Sequence, residues 1–474
     1  MLFPTIDFAI FFGIVFLAHW LLNPYRKLWK TFMVIASYVF YAWWDWHYIF
    51  LLGASTVFAQ AGAVAISKRR SKKDRKRLLV ATLTLVLGLL VWFKYYGFLS
   101  LNLHNSFNFF GVRMPLPVLQ FALPVAISFY TFMAVSYVVD VYRRDLKPAG
   151  WLDFAVYLSF FPHLVAGPIV RGHELLPQIR RRRDPKRIDY SRAAYLIFGG
   201  LFKKVVISSF LAQQIVDPVF GAPGAHSSLE ILFAVYGYAI QIYADFSGYT
   251  DIAIGVALLM GVEFPQNFDS PYTARSLQDF WRRWHMTLSR WLRDYLYIPL
   301  GGSRGSEAQT VRNIVLTMAL GGLWHGAGWT FLAWGLFHGI GLAAGRQRRK
   351  RRGERGLPPP DETPRARALQ CVATFHLVCL GWLFFRADSI GTALHMLGRL
   401  FTAFGSAPAV TPLLVLVIAL MLAVQFASRE VPERIQDWFS ELRPVAQGAV
   451  LAGVLFLITS VGPQGVAPFI YFRF

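Results

Sequence analysis

Apolar residues run along this chain in blocks of about 17 to 25, and each block gives way to basic residues, to Gly and Pro, or to a short polar turn. A block of that length covers a hydrocarbon core of about 30 Å as a helix. The pattern predicts spans near residues 6–22, 31–49, 50–66, 78–96, 119–139, 193–216, 229–260, 366–385, 412–425 and 445–460, with a shorter pair between Arg312 and Arg346. Such a chain is all-α, a polytopic membrane protein of about eleven crossings that forms one domain over residues 1–474. Residues 151–171 break the pattern. They are apolar but interrupted at Phe161-Pro162-His163 and Gly167-Pro168, which predicts a segment that dips into the membrane and returns on the same side. Broken backbone survives at that depth only when protein covers it or it lines a water-filled cavity.

Composition agrees with the pattern, because only 16% of residues are charged and 55% are hydrophobic, whereas soluble domains carry about 25% charged residues. The net charge of +22 would fit a nucleic-acid ligand if it were spread over one face. It is not. Residues 67–77, 180–187 and 346–355 together hold 21 basic and 3 acidic residues, and each lies in a short loop beside apolar blocks. That is the positive-inside placement of cytoplasmic loops, so no nucleic-acid partner is expected.

Taking those three segments as cytoplasmic lets the crossings be counted by parity. Three spans precede the first segment, which puts the N-terminus outside. The start of the chain has neither the basic n-region nor the cleavage site of a signal peptide, so an uncleaved first span is expected. Residues 468–474 are expected outside, and no inverted repeat of the transporter kind is visible. Between Arg312 and Arg346 the chain must leave the cytoplasmic side and return within 33 residues, short for two full spans. His325 falls near the middle, so it is expected buried at the apex of a short helix pair.

His325 is the sharpest chemical feature, a single imidazole in the glycine-loosened run Gly321-Gly322-Leu323-Trp324-His325-Gly326-Ala327-Gly328-Trp329, with no charge on either flank. It is either a core histidine bonded to a carbonyl or a working group. A second histidine lies in residues 279–295. At about 100° per residue, Trp281, Trp284, His285, Leu288, Trp291, Leu292 and Tyr295 fall on one stripe about 120° wide. This predicts one amphipathic helix at the cytoplasmic face with His285 on its buried side, where it either only packs or serves chemistry. The arginines of this stretch are expected to be solvated or lipid-facing rather than substrate ligands.

Asp245 sits inside an apolar run, where ionisable groups face a bundle interior and find partners. It could orient a histidine or bind a hydroxyl, or it could fix helix packing through an Arg or backbone partner. The hydroxyls of Ser128, Tyr130, Thr131, Ser136 and Tyr137, with Asp140, are expected to make helix-helix hydrogen bonds. Cys371 and Cys379 would be about 12 Å apart along a helix, too far for a disulfide. No phosphate loop, H-E-x-x-H zinc pair or G-x-S-x-G elbow occurs, so nucleotide hydrolysis, zinc proteolysis and serine-esterase chemistry lose their usual markers, and no metal site is expected.

Trp281-Arg282-Arg283-Trp284-His285, followed forty residues later by Trp324-His325-Gly326, resembles the two-histidine signature of the membrane-bound O-acyltransferase family. Residues 123–130, 161–169, 245–249 and 380–387 and the Phe-rich C-terminus are similar to its bacterial alginate O-acetyltransferase branch. The resemblance implies a helical bundle around a central funnel, with re-entrant and interfacial helices, in a bacterial cytoplasmic (inner) membrane. It implies His325 as catalytic residue and His285 as the second motif residue. It also implies acyl transfer from a cytoplasmic donor, acetyl-CoA or another acyl thioester, toward a polysaccharide acceptor outside, completed by a periplasmic acetyltransferase or esterase-like partner. No tightly bound cofactor is expected.

A buried imidazole stays neutral near pH 7 and can take the proton of an attacking hydroxyl, and burial keeps water from the thioester. His325 is therefore expected as general base and His285 as the group that positions or polarises the acyl carbonyl. Asp245, Trp284, Trp324 and Ser289 are the candidate substrate contacts. Two other functions remain open: D-alanyl transfer from a carrier-protein thioester to a cell-wall polymer, and a non-catalytic polysaccharide or lipid exporter.

Overall fold

The computed structural model describes residues 1–111, 117, 124–165, 167–357, 362–428, 430–462 and 470, and among these every regular element is helical. Residues 468, 469 and 471–474 of the expected outer tail, and the predicted span start at 119–123, lie outside the described residues. In order the helices are α1 Ile6–Leu22, α2 Arg26–Ala42, α3 Ile49–Lys68, α4 Lys72–Phe109, α5 Ile127–Arg143, α6 Trp151–Ser159, α7 Phe161–Leu164 and α8 Gly172–Arg180. There follow α9 Tyr190–Gly221, α10 Ser228–Leu259, α11 Leu277–Arg283, α12 Met286–Leu292, α13 Glu307–His325 and α14 Trp329–Glu354. The last are α15 Pro364–Arg386, α16 Ile390–Thr402, α17 Pro412–Val424, α18 Glu430–Glu441 and α19 Pro444–Val461. Among the described residues, α3, α4, α9, α10, α15 and α19 are long and apolar enough to cross a membrane, and α1 and α17 are shorter apolar helices.

Local chemistry sets the helix ends. Ser71, Ser306, Thr363, Ser389 and Thr411 each accept the backbone N–H three residues on, which satisfies a donor that a helix start leaves open. Pro364 and Pro412 stand at the first helical position, where a missing N–H costs nothing. The amphipathic helices α8, α16 and α18 are absent from the span prediction, because a window of membrane length averages their polar faces away.

The contacts gather into two compact units, Met1–Ala193 with Ala253–Pro265, and Ala194–Ile252 with Gln266–Phe474. In the first, α3, α4 and α5 pack together. A closed ring of hydrogen bonds joins Tyr137 Oη to Gln60 Oε1 (2.8 Å), Gln60 Nε2 to the Ala149 carbonyl (2.6 Å) and the Ala149 N–H back to Tyr137 Oη (2.8 Å). The broken stretch α6–α7 is buried throughout Phe160, Phe161 and Leu164, and the Phe161 N–H donates to Ser37 Oγ at 3.1 Å. Protein covers the interrupted backbone.

In the second unit, α9 contains two π-helical stretches, Phe202–Ser208 and Ala212–Val216, where an uninterrupted helix was expected. It crosses α10 at Gly200 and Gly248, and a Cβ on either would meet the other's carbonyl oxygen at 2.6 to 2.7 Å. The π stretch brings consecutive lysines to α10, where Lys203 pairs with Asp251 and Lys204 with Asp245. The helices α13 and α14 form the hairpin expected around His325, but they are longer than expected, 19 and 26 residues. They run past Arg312 and Arg346 in both directions, and Glu307 ties their open end by accepting from Arg346 (3.1 Å) and Lys350 (3.4 Å).

Candidate active site

Glycine at three positions lets α13 and α14 approach backbone to backbone. A Cβ on Gly322 would lie 2.2 Å from the Phe331 carbonyl oxygen, one on Gly335 2.4 Å from that of Met318, and one on Gly339 2.9 Å from Val315 Cα. The hairpin turns at Gly326-Ala327-Gly328, and His325 is the last residue of α13. It is 4% exposed, with the rings of Trp324, Trp334 and Phe385 packed around its imidazole at centroid distances of 5.0, 5.1 and 5.3 Å.

The single helix expected over 279–295 does not form. α11 ends at Arg283, Trp284 is extended, His285 takes a left-handed conformation (φ 40°, ψ 55°), α12 starts at Met286, and Arg293–Tyr297 finishes as a π-helical turn. The reason is a competing partner for the backbone. The Met286 N–H donates to the Asn267 carbonyl (2.9 Å), and the Asp269 N–H donates to the Arg283 carbonyl (2.9 Å). These bonds clamp residues 267–269 across the junction and replace helix bonds there. On the expected buried side Trp281, Trp284, His285, Leu288, Trp291 and Leu292 are all buried despite the break, whereas Tyr295 is half-buried.

His285 is fully buried. Its Nδ1 lies 3.1 Å from Asn267 Oδ1, its ring meets Phe246 edge to face at 4.7 Å, and it lies 6.1 Å from the Trp324 ring. The fold therefore sets both histidines, forty residues apart in sequence, against the same indole. Burial alone holds the His285 imidazole down at about 3, well below its ordinary value, so near pH 7 it is neutral.

Beside this aromatic core opens a cavity of about 510 Å³, within the usual range for ligand sites. Its wall includes Ser289 and the arginines Arg282, Arg290, Arg293, Arg346 and Arg349. Arg282, Arg290 and Arg293 thus edge a cavity, Arg282 and Arg293 remaining exposed as the sequence predicts, whereas Arg283 pairs with Asp279 at 2.9 Å. Along α13 the cavity reaches Met318, about 10 Å of helix rise short of His325.

Other expected site residues divide. Trp284 lies in the aromatic core, 5.0 Å from both Phe268 and Trp382, and Trp324 bridges the histidines. Asp245 makes the contacts of its packing alternative. Its Oδ1 accepts from buried Lys204 and from Ser208 (3.2 Å), and its Oδ2 accepts from the Ile470 backbone N–H at 2.9 Å. Of the hydroxyls around Ser136, Tyr137 Oη bonds across to Gln60 of α3 and Ser128 Oγ accepts from Lys94 of α4 at 3.2 Å, whereas Ser136 Oγ bonds within its own helix to the Met133 carbonyl at 2.8 Å.

Three features escaped the sequence reading. Asn267 lies 18 residues before His285 with nothing in between to mark the pairing. His338 is buried, accepts from Trp281 Nε1 at Nδ1 (3.3 Å) and packs 4.9 Å from Trp334, which also touches His325. Its position one helical turn after Trp334 was the available signal. Arg346 and Arg349 read only as cytoplasmic charge, although the same helix carries them to the cavity wall.

Comparison with known proteins places this geometry. The chain is 40% identical over 411 residues to a probable alginate O-acetylase AlgI of Azotobacter vinelandii, covering 85% of this chain and 78% of that protein. It is 37% identical over 425 residues to a peptidoglycan O-acetyltransferase of Helicobacter pylori, covering 83% and 78%. A teichoic acid D-alanyltransferase of Streptococcus thermophilus is 31% identical over 281 residues, covering 55% of this chain and 68% of that protein. The model of the membrane-bound O-acyltransferase family matches residues 35–354, a stretch that contains both histidines, the hairpin and the cavity. This chain belongs to the membrane-bound O-acyltransferase family.

Proposed function

We propose that this acyltransferase moves an acetyl group from a cytoplasmic thioester, acetyl-CoA or a relative of it, toward hydroxyls of a polysaccharide on the other side of a bacterial cytoplasmic membrane. The observation that carries the reading is the α13–α14 hairpin, which holds an imidazole at its apex and two cavity arginines on its returning arm. Arginines pair with phosphate through forked, charge-assisted hydrogen bonds, and a thioester donor built on a phosphorylated carrier group supplies such phosphates. The donor would enter with its phosphates at Arg282, Arg290 and Arg349 and its acyl end running along α13 toward His325.

His325 would then act as general base on the attacking hydroxyl, since an imidazole can accept a proton at its bare ring nitrogen and the apolar ring cage around it excludes water from the thioester. The N-terminus would lie outside. A periplasmic acetyltransferase or esterase-like protein would complete delivery to the polymer. Acetyl is favoured over D-alanyl because the O-acetylase relatives align with 83–100% of this chain, the D-alanyltransferases with 55%.

Deleting the gene and weighing the surface polysaccharide tests the reading. An acetyl mass increment should disappear, return with the wild-type gene and stay absent with His325→Ala. A polymer of unchanged mass, or full acetylation by a well-folded His325→Ala protein, overturns it.

A further inference from the structure

The oxygen of the Asn267 side chain collects three donors: His285 Nδ1 at 3.1 Å, the Thr287 backbone N–H at 3.2 Å and Thr287 Oγ1 at 2.8 Å. A backbone N–H can only donate, so the amide atom it meets must be the oxygen, and the orientation of the Asn267 amide is settled by chemistry. A ring nitrogen facing that oxygen must carry a hydrogen. His285 is therefore the Nδ1–H tautomer, and its Nε2 bears a lone pair. That Nε2 is buried and has no hydrogen-bond partner among the described residues. The price of the arrangement is visible in Asn267 Nδ2, a buried amide donor that also has none.

This tautomer revises the role expected from sequence. Polarising an acyl carbonyl needs a donor, and the free nitrogen of His285 is an acceptor. Protonation does not rescue the older role. Among the described residues Asn267 bonds the ring and Phe246 and Trp324 pack against it, none of them charged, and burial alone disfavours the imidazolium.

We propose that Asn267 is a positioning residue that holds His285 with Nε2 as a hydrogen-bond acceptor, and that Nε2 receives the O–H of the incoming hydroxyl and orients it for attack. Asn267 touches no reacting atom in this scheme. The hydroxyl oxygen forms the new ester bond to the acyl carbon and the thioester C–S bond breaks. The one hydroxyl proton, held by His285 Nε2 in the bound substrate, turns to the base as the oxygen attacks and passes from it to the departing thiolate. The inference rests on the acyl-transfer reading above, with His325 as that base. Thr287 completes the device, because its two donors keep the amide from turning over and presenting an N–H to His285.

The test compares Asn267→Ala, Asn267→Asp and His285→Ala in the full-length protein, by acyl content of cell-surface polysaccharide and by the pH profile of transfer from acetyl-CoA in membrane vesicles. Asn267→Ala should lower turnover about 100-fold with the donor KM unchanged. Asn267→Asp keeps an acceptor for Nδ1–H and should recover to within about tenfold of wild type. Its carboxylate also favours the imidazolium, so the acid limb should move upward by about 1 to 3 pH units. Wild-type acylation by Asn267→Ala, with His285→Ala inactive, overturns the assignment of Asn267 and leaves the acyl-transfer reading intact. An Asn267→Asp protein whose acid limb does not move overturns it too, even if Asn267→Ala fails to fold. Full acylation by His285→Ala removes the reading of His285 itself and this proposal with it.

Discussion

At the apex of the α13–α14 hairpin the His325 imidazole is placed by shape: glycine contacts bring two backbones together and aromatic rings close around the side chain. At the α11–α12 junction the His285 imidazole is placed by polar bonds, with Asn267 fixing its hydrogen and the backbone broken to admit it. Both rings lie against Trp324. The difference teaches that one indole-lined site uses two kinds of control. Packing determines where an imidazole sits, whereas a hydrogen-bond partner determines which nitrogen is basic.

The comparison breaks first at His325. His325→Ala should reduce polysaccharide acylation about 1,000-fold while the protein extracts and sizes normally, because a positioned base contributes about 10² to 10⁴ in rate. Residual transfer above a tenth of wild type would mean that the shaped pocket, not the base, carries the reaction.

Gly335→Ala probes the shape-based control alone. Its methyl would sit 2.4 Å from the Met318 carbonyl, a collision with backbone that a rotamer change cannot relieve. Overpacking of this kind costs about 1–3 kcal/mol, read as a lower melting temperature in detergent together with lost activity. A variant that melts with the wild type would show that the hairpin opens without cost.

A third variant asks whether the cavity serves the donor rather than either histidine. Arg282→Ala with Arg349→Ala should raise the donor KM about tenfold, equivalent to about 1.4 kcal/mol, with kcat little changed and the defect smaller at high salt. A fall in kcat at constant KM would move these arginines out of the donor site.

The smallest effect is expected at the polar clamp. Thr287→Val removes the 2.8 Å hydroxyl donor to Asn267 but keeps the backbone donor, so it should cost about 1 kcal/mol of stability and leave turnover within about threefold. A loss as deep as that of His285→Ala would give Thr287 a role of its own.

Much of this is legible in the amino-acid sequence, and for definite reasons. A span must be apolar over its whole length, so hydropathy alone located α1 at residues 6–22. Loop charge reports sidedness, so counting crossings between basic segments was enough to turn the chain at His325. Periodicity found the buried side of residues 281–292 and still missed the break at Trp284–His285. A side's polarity is local, whereas the competing bonds come from Asn267 and Asp269, outside that segment.

What the chain determined unaided is its membrane-spanning helical class, the turn at His325 and the burial of both imidazoles, because each depends on the polarity or charge of a contiguous stretch. Tertiary structure alone decided three things: that Trp324 joins the two histidines, that arginines from two separate segments edge one cavity, and that Asn267 chooses the basic nitrogen of His285. Each of these is a contact between residues distant in sequence, and its geometry exists only once the helices have packed.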